Sequence, residues 1–247
     1  MKALRQHQLE AQKNMGVWAR KPLLQKLYAQ FYQCILGLID PNEPGLTVEL
    51  GSGIGNLKQH LPHAVCTNLF AQPWIDLVCD AYELPFASQS VSHLVLFDVF
   101  HHLSCPKAFL HEARRVLRPP QGRLILFEPY ISVSSYLVYG LGHHEPVAWW
   151  QPIDASECPP SQRGYFAAQG NATRLFFRDD ASGWLTGWMV LHAQPMAAFS
   201  YLFSGGYSKP ALYPVAWLEN FQRLDRKLSH WPRLFGARCL VALSPRP

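Results

Sequence analysis

Between residues 4 and 38 the apolar positions recur at spacings of three and four, with Leu23, Leu27, Phe31, Ile35 and Leu38 on one stripe. That spacing predicts one or two amphipathic helices, closed by the turn from Pro41 to Gly45. The period then shortens. Residues 46–50, 64–69, 76–79, 93–97 and 123–127 are short runs rich in Val, Leu and Ile, which predict buried strands. Helical stretches fall between several of them, at 54–61 and 106–117. Strand and helix in alternation predict an α/β fold, a Rossmann-like doubly wound sheet that is mostly parallel.

After Tyr130 the alternation stops for about fifty residues, in a stretch that carries Pro146, Pro152, Pro159 and Pro160 beside Trp149 and Trp150. So long a connection predicts a lid over a site. Strand patterns return at 187–193 and 237–243, separated by a helix that starts near Pro214 and runs to about Leu228. The chain therefore divides into an N-terminal helical cap (1–45), a core (46–130), a lid insertion (131–180) and C-terminal strands with a helix (181–247), all within one domain, as suits its 247 residues.

Charge adds little to this picture. The net charge is +5, and its one concentration, Arg114, Arg115, Arg118 and Arg123, reads as a solvated helix face rather than a nucleic-acid or membrane patch. The six cysteines are widely spaced with no C-x-x-C pair, so reduced thiols are expected. The polar first fifteen residues lack the apolar core of a signal peptide, and no apolar run reaches membrane-spanning length. A cytoplasmic location, with no nucleic-acid or membrane partner, is the expectation.

The chemistry begins at Val48-Glu49-Leu50-Gly51-Ser52-Gly53-Ile54-Gly55-Asn56, an apolar strand that ends in an acid and runs into three alternating glycines. Glycine serves where the backbone must take unusual dihedrals and let a ligand approach, and a following helix start offers unpaired N–H groups. A dinucleotide fingerprint places its third glycine at position 56, which here is Asn56.

Three more segments follow in order: Asp80-Ala81-Tyr82-Glu83-Leu84-Pro85-Phe86, then Leu94 to Leu103 with Asp98, His101 and His102, then Glu112-Ala113-Arg114-Arg115-Val116-Leu117-Arg118-Pro119-Pro120-Gln121-Gly122. Together the four segments resemble the motifs of class I S-adenosylmethionine-dependent methyltransferases, of the type 11-like group. The resemblance covers residues 46 to 129 and implies a seven-stranded sheet whose last strand is antiparallel. It also implies that Glu49, Gly51, Ser52, Gly53 and Gly55 wrap the methionine tail and adenosine of S-adenosylmethionine. Asp80 and the Ala81 N–H would hold the adenine, and the loop carrying Asp98 would line the methyl group.

Two departures from that pattern matter. Members usually close the second strand with an acid that grips the ribose; the matching residue here is Asn68, an amide without the charge that strengthens such a bond. Only seven residues separate Leu69 from Leu77, too few for a crossover helix, so residues 71–75 should form a turn that leaves the cofactor pocket more open or covers it with Trp74. Asp76 could substitute for the missing acid, although capping is the more usual role beside a proline turn.

Methyl transfer is an in-line displacement, so holding the acceptor in line is the enzyme's main task. A hydroxyl acceptor must also lose a proton, and His101, with Glu128 at the end of the fifth strand, is the candidate for that role. His102, Tyr130 and His143 are the candidate substrate-pocket residues. His143-His144-Glu145 could join His101 or Glu128 around a metal, but imidazoles suit magnesium poorly and no spacing supports tetrahedral ligation, so no metal is expected. Six of the eight tryptophans follow Gly140, where an acceptor pocket would form, which suits a flat, apolar or sugar-like small molecule. The expected function is thus small-molecule methylation. A noncatalytic ligand- or partner-binding domain and an NAD(P)-dependent oxidoreductase are the competing readings.

Overall fold

In the chain's computed structural model, which describes residues 2–141, 145–153, 157–162, 166–178, 183 and 185–247, two N-terminal helices precede the sheet. These are α1 (Lys2–Arg20) and α2 (Pro22–Leu36). Proline at the first position of α2 sets the helical φ at no cost in hydrogen bonds, and Leu23, Leu24, Leu27, Phe31 and Ile35 form its buried face. The strands are β1 (Leu46–Leu50), β2 (Val65–Asn68), β3 (Leu77–Val78), β4 (Val91–Phe97), β5 (Arg123–Pro129), β6 (Trp188–Ala197) and β7 (Gly236–Pro245). They make one seven-stranded sheet in the order β3-β2-β1-β4-β5-β7-β6. β1 to β5 pair in parallel, and β7 enters antiparallel to both β5 and β6.

Successive strand residues point to opposite faces, and both faces of the central strands β4, β5 and β7 are dry. On one face Leu94, Leu96, Leu124, Leu126, Val241 and Leu243 pack with Phe109 and Val116 of α3 (Pro106–Val116). On the other, Val95, Phe97, Ile125, Phe127 and Leu240 pack against α2 and Leu218, the first residue of α7 (Leu218–Leu228). No described helix is long and apolar enough to cross a membrane.

One expected element differs. Residues 54–61 form no α-helix: a single 3₁₀ turn, Asn56–Gln59, follows the glycines, and Leu57 anchors it in the core. Pro62 and the start of β2 leave no room for more. The connection from β2 to β3 holds no helix either, as the short spacing required. Beyond β5, α4 (Val133–Leu141) and α5 (Asn171–Phe176) belong to the proline-rich stretch, with the α6 helix (Phe199–Ser204) later. Hydrogen bonds tie this stretch to the carboxyl ends of β4 and β5: Ala168 N–H donates to the His101 carbonyl at 2.8 Å, and Ile131 N–H donates to the Thr173 side-chain Oγ1 at 2.9 Å.

Candidate functional site

All three glycines of the turn lie in the left-handed region, Gly51 at φ +62°, Gly53 at +53° and Gly55 at +76°. Each faces something different. A Cβ on Gly51 would sit 2.6 Å from Val99 Cγ2, so this glycine admits the loop after β4. A Cβ on Gly55 would meet the Trp74 ring at 3.1 Å, whereas one on Gly53 would meet nothing within 4 Å. Trp74 lies over the turn, and its Nε1–H donates to the Gly53 carbonyl at 2.9 Å. Ser52 stitches the turn to β2: its N–H donates to the Thr67 carbonyl at 2.8 Å, and its Oγ accepts from the Thr67 N–H at 3.1 Å.

Glu49 is 1% exposed and sits beneath this turn, where the Tyr32 hydroxyl of α2 donates to its Oε1 at 3.2 Å and Cys66 Sγ lies 3.7 Å from its Oε2. Burial pushes its pKa up to about 7, against the pull of its hydrogen bonds from Ser52, Tyr32 and Cys66. Asn68 ends β2 half-buried, its Oδ1 accepting from the Leu69 N–H at 2.8 Å. Asp76 caps: Oδ2 accepts from the Cys66 N–H at 2.8 Å and Oδ1 pairs with Lys58 at 2.5 Å. Asp80 closes an Asx turn by accepting from the Tyr82 N–H at 2.9 Å, and Ala81 packs half-buried against the core.

Asp98 follows β4 at φ +56°, a left-handed conformation uncommon for a residue other than glycine. Two contacts fix it there. Its N–H donates to the Phe127 carbonyl at 3.0 Å, and its carboxylate takes both terminal nitrogens of Arg238 in β7, one at 3.0 Å. Arg238 is 2% exposed, and its guanidinium lies 4.4 Å from the centroid of the Tyr201 ring.

Past Asp98, the Glu128 carboxylate organises the loop. It is fully buried; Oε1 accepts from the Val99 and Phe100 N–H groups at 2.7 Å each, and Oε2 accepts from the His101 N–H at 3.3 Å and lies 2.6 Å from His101 Nδ1. The other ring nitrogen, Nε2, lies 3.7 Å from Glu145 Oε2. His102 Nε2 lies 3.8 Å from Glu145 Oε1, and its Nδ1 is 2.8 Å from the Phe166 carbonyl. Gln169 donates to Glu145 as well. Burial opposes charge on His101, but Glu128 and Glu145 outweigh it and hold its pKa at about 10; burial and the charge on His101 drive His102 down to about 4. Tyr130 is buried with its ring edge-on to Phe177, 5.2 Å between centroids. His143 lies outside the described residues.

The structure thus gathers the glycine turn, Asn68 and Trp74 on one side, and His101, His102 and Glu128 on the other. Sequence reasoning did not place Arg238, Tyr32 or Gln169 here. Arg238 left one signal, a lone cation inside an apolar strand.

Residues 48–126 match the model of a family described as a methyltransferase domain. Among solved structures, a chain from the complex between the Haloferax volcanii Trm112 methyltransferase activator and a methyltransferase superposes with a TM-score of 0.51 at 20% identity, covering 97% of this chain and 95% of that one. The geranyl diphosphate C-methyltransferase of Streptomyces coelicolor, solved with Mg2+, geranyl diphosphate and S-adenosyl-L-homocysteine, gives 0.53 at 10% identity over 94% and 83% of the two chains. A SAM-dependent methyltransferase from Thermotoga maritima gives 0.51 at 13% identity over 94% and 96%. At such identities the likeness establishes the fold. No curated protein matches the sequence.

Proposed function

We propose that this chain, whose residues 48–126 match the methyltransferase domain model and whose fold is that of the solved methyltransferases it resembles, is a class I methyltransferase that moves a methyl group from S-adenosylmethionine to a small-molecule acceptor. The carrying observation is the Gly51-to-Gly55 turn at the carboxyl end of β1, where the Gly53 face opens on free space that any side chain would fill. The neighbouring groups fit such a ligand. Asn68 at the end of β2 would offer an amide to the ribose and Asp80 with the Ala81 N–H would hold the adenine, while Trp74, bonded to the Gly53 carbonyl, walls the side that lacks a crossover helix.

When bound, S-adenosylmethionine supplies an electrophilic methyl on a sulfonium sulfur. The chain's own contribution is to hold an acceptor in line with it and exclude water, an effect that can supply several kcal/mol. His101, 3% exposed just past the carboxyl end of β4, is the proposed point of contact with the acceptor. Glu128, with four donors converging on it, fixes the loop and the His101 ring and serves as a positioning residue. His102 and Tyr130 are proposed to line the acceptor pocket, and His143 is assigned there from the sequence alone. Glu128 and Glu145 hold the His101 ring protonated at neutral pH, so a hydroxyl acceptor would lose its proton to the Glu145 carboxylate beside that ring.

A second reading, a methyltransferase-like domain that binds without turnover, draws on Trp74 lying against Gly55 and on Asp98 being held by Arg238. Titration calorimetry with S-adenosylmethionine, S-adenosylhomocysteine and NAD(H) tests the assignment. Micromolar binding of the first two is expected. Binding of NAD(H) alone, or of none, overturns it.

A further inference from the structure

We propose that His101, His102 and Glu145 form a binding site for one divalent transition-metal ion, zinc by ligand type. Each of the three residues presents one ligand atom, a ring nitrogen of His101 and of His102 and a Glu145 carboxylate oxygen, and these lie within 4.8 Å of one another. His101 Nε2 stands 3.7 Å from Glu145 Oε2, and His102 Nε2 stands 3.8 Å from Glu145 Oε1. Nitrogen and oxygen ligands about 2.0–2.1 Å from a tetrahedral zinc are separated by about 3.4 Å, so closing the site brings ligand atoms that now lie within 4.8 Å of one another together by about 1 Å.

What distinguishes this cluster from a chance meeting of polar groups is the layer behind it. A histidine that ligates through Nε2 needs its Nδ1 proton held by an acceptor, which fixes tautomer and ring angle together. Both rings have that acceptor: His101 Nδ1 is 2.6 Å from Glu128, and His102 Nδ1 is 2.8 Å from the Phe166 carbonyl. Glu128 is itself locked by three backbone N–H groups, and Gln169 donates to Glu145. Two imidazoles and one carboxylate leave coordination positions for a further ligand, the arrangement of catalytic rather than structural zinc and of open iron(II) sites.

The ligand geometry carries the metal site by itself. Its role, holding an oxygen-bearing acceptor beside the methyl donor, rests on the methyltransferase reading. The chain places the three ligands on two segments far apart in sequence, 101–102 and 145, so the ion would also pin the proline-rich stretch to the end of β4.

The test uses tag-free, chelator-treated full-length protein titrated with Co2+ and followed by visible absorption, with Zn2+ affinity measured by competition. We expect one equivalent to bind with a tetrahedral or five-coordinate spectrum. H102A and E145Q should weaken binding by at least roughly 100-fold, E128Q should weaken it by about 10- to 100-fold through the His101 ring, and the exposed His230→Ala should leave it unchanged. His102 is partly exposed, so H102A stays informative should E145Q fail to fold. No saturable cobalt binding by the wild type, or equal affinity in H102A, overturns the site. S-adenosylmethionine binding is measured in parallel: metal binding without it defeats the methyltransferase reading alone, and the converse defeats the metal site alone.

Discussion

The guanidinium of Arg238, delivered by β7, clasps the carboxylate of Asp98 at the end of β4, with the whole of β5 between the two strands. The pair is nearly dry on the arginine side, and Tyr201 packs on the cation. Removing one member strands the other. R238A should therefore cost about 3 kcal/mol of unfolding free energy. In a double-mutant cycle with D98A, the coupling should be about 2 kcal/mol, because the second deletion removes a charge already left alone. Urea titrations of the four proteins measure it; strict additivity would refute the pairing.

Gly51 and Gly53 should separate stability from ligand binding. G51A drives a methyl into Val99 and should destabilise by about 2–3 kcal/mol, with V99A partly restoring it. G53A meets only open space, so the cost is the left-handed backbone alone, about 1 kcal/mol. Its larger effect should fall on S-adenosylmethionine, with affinity down by about tenfold, or roughly 1.4 kcal/mol. Equal binding by G53A and wild type would show that the ligand does not use this face.

Trp74 is the wall of the same turn. Replacing it with alanine should weaken S-adenosylmethionine binding about fivefold, in line with roughly 1 kcal/mol for a lost aromatic contact. Tighter binding in the variant would mark the indole as a plug and favour the domain that binds without turnover.

Glu49 makes stability depend on pH. Burial raises its pKa from an ordinary 4.5 to about 7, so the folded state keeps the proton that the unfolded chain releases. The sign follows: the stabilisation from this group is complete below pH 4.5 and is lost as pH rises through about 7. E49Q has no proton to lose and can still accept from Tyr32. At pH 8 it should be more stable than wild type by about 3 kcal/mol, and the gap should close near pH 4.5. Thermal denaturation across that range reads the difference directly; a constant gap would contradict it.

Much of the fold was legible because strands announce themselves locally. Val48 to Leu50 and Leu94 to Phe97 are apolar runs that only a sheet covered on both faces can bury, and the β7 run ends in the same way. The crossover without a helix between β2 and β3 could be read from chain length alone. The missing helix after the glycines could not, since 54–61 has helical spacing and loses its helix to Pro62 and to the anchoring of Leu57. Site residues divide in the same manner. Gly51, Gly53, Asn68 and Asp80 are placed by strand ends, which local pattern reveals. Arg238, Tyr32 and Glu145 arrive through β5–β7 pairing, the docking of α2 and the fold of a segment with no period, and none of these contacts is encoded near the residue it recruits.

The bare crossover leaves the margin of the sheet uncovered, with Leu69 46% and Val78 50% exposed. An open strand margin normally invites another polypeptide to add on and seed fibres. Here β3 is two residues long, and the Lys58–Asp76 ion pair stands beside it. So brief a template, flanked by charge, gives an incoming strand almost no ladder to extend, and the molecule can forgo a covering helix without courting aggregation.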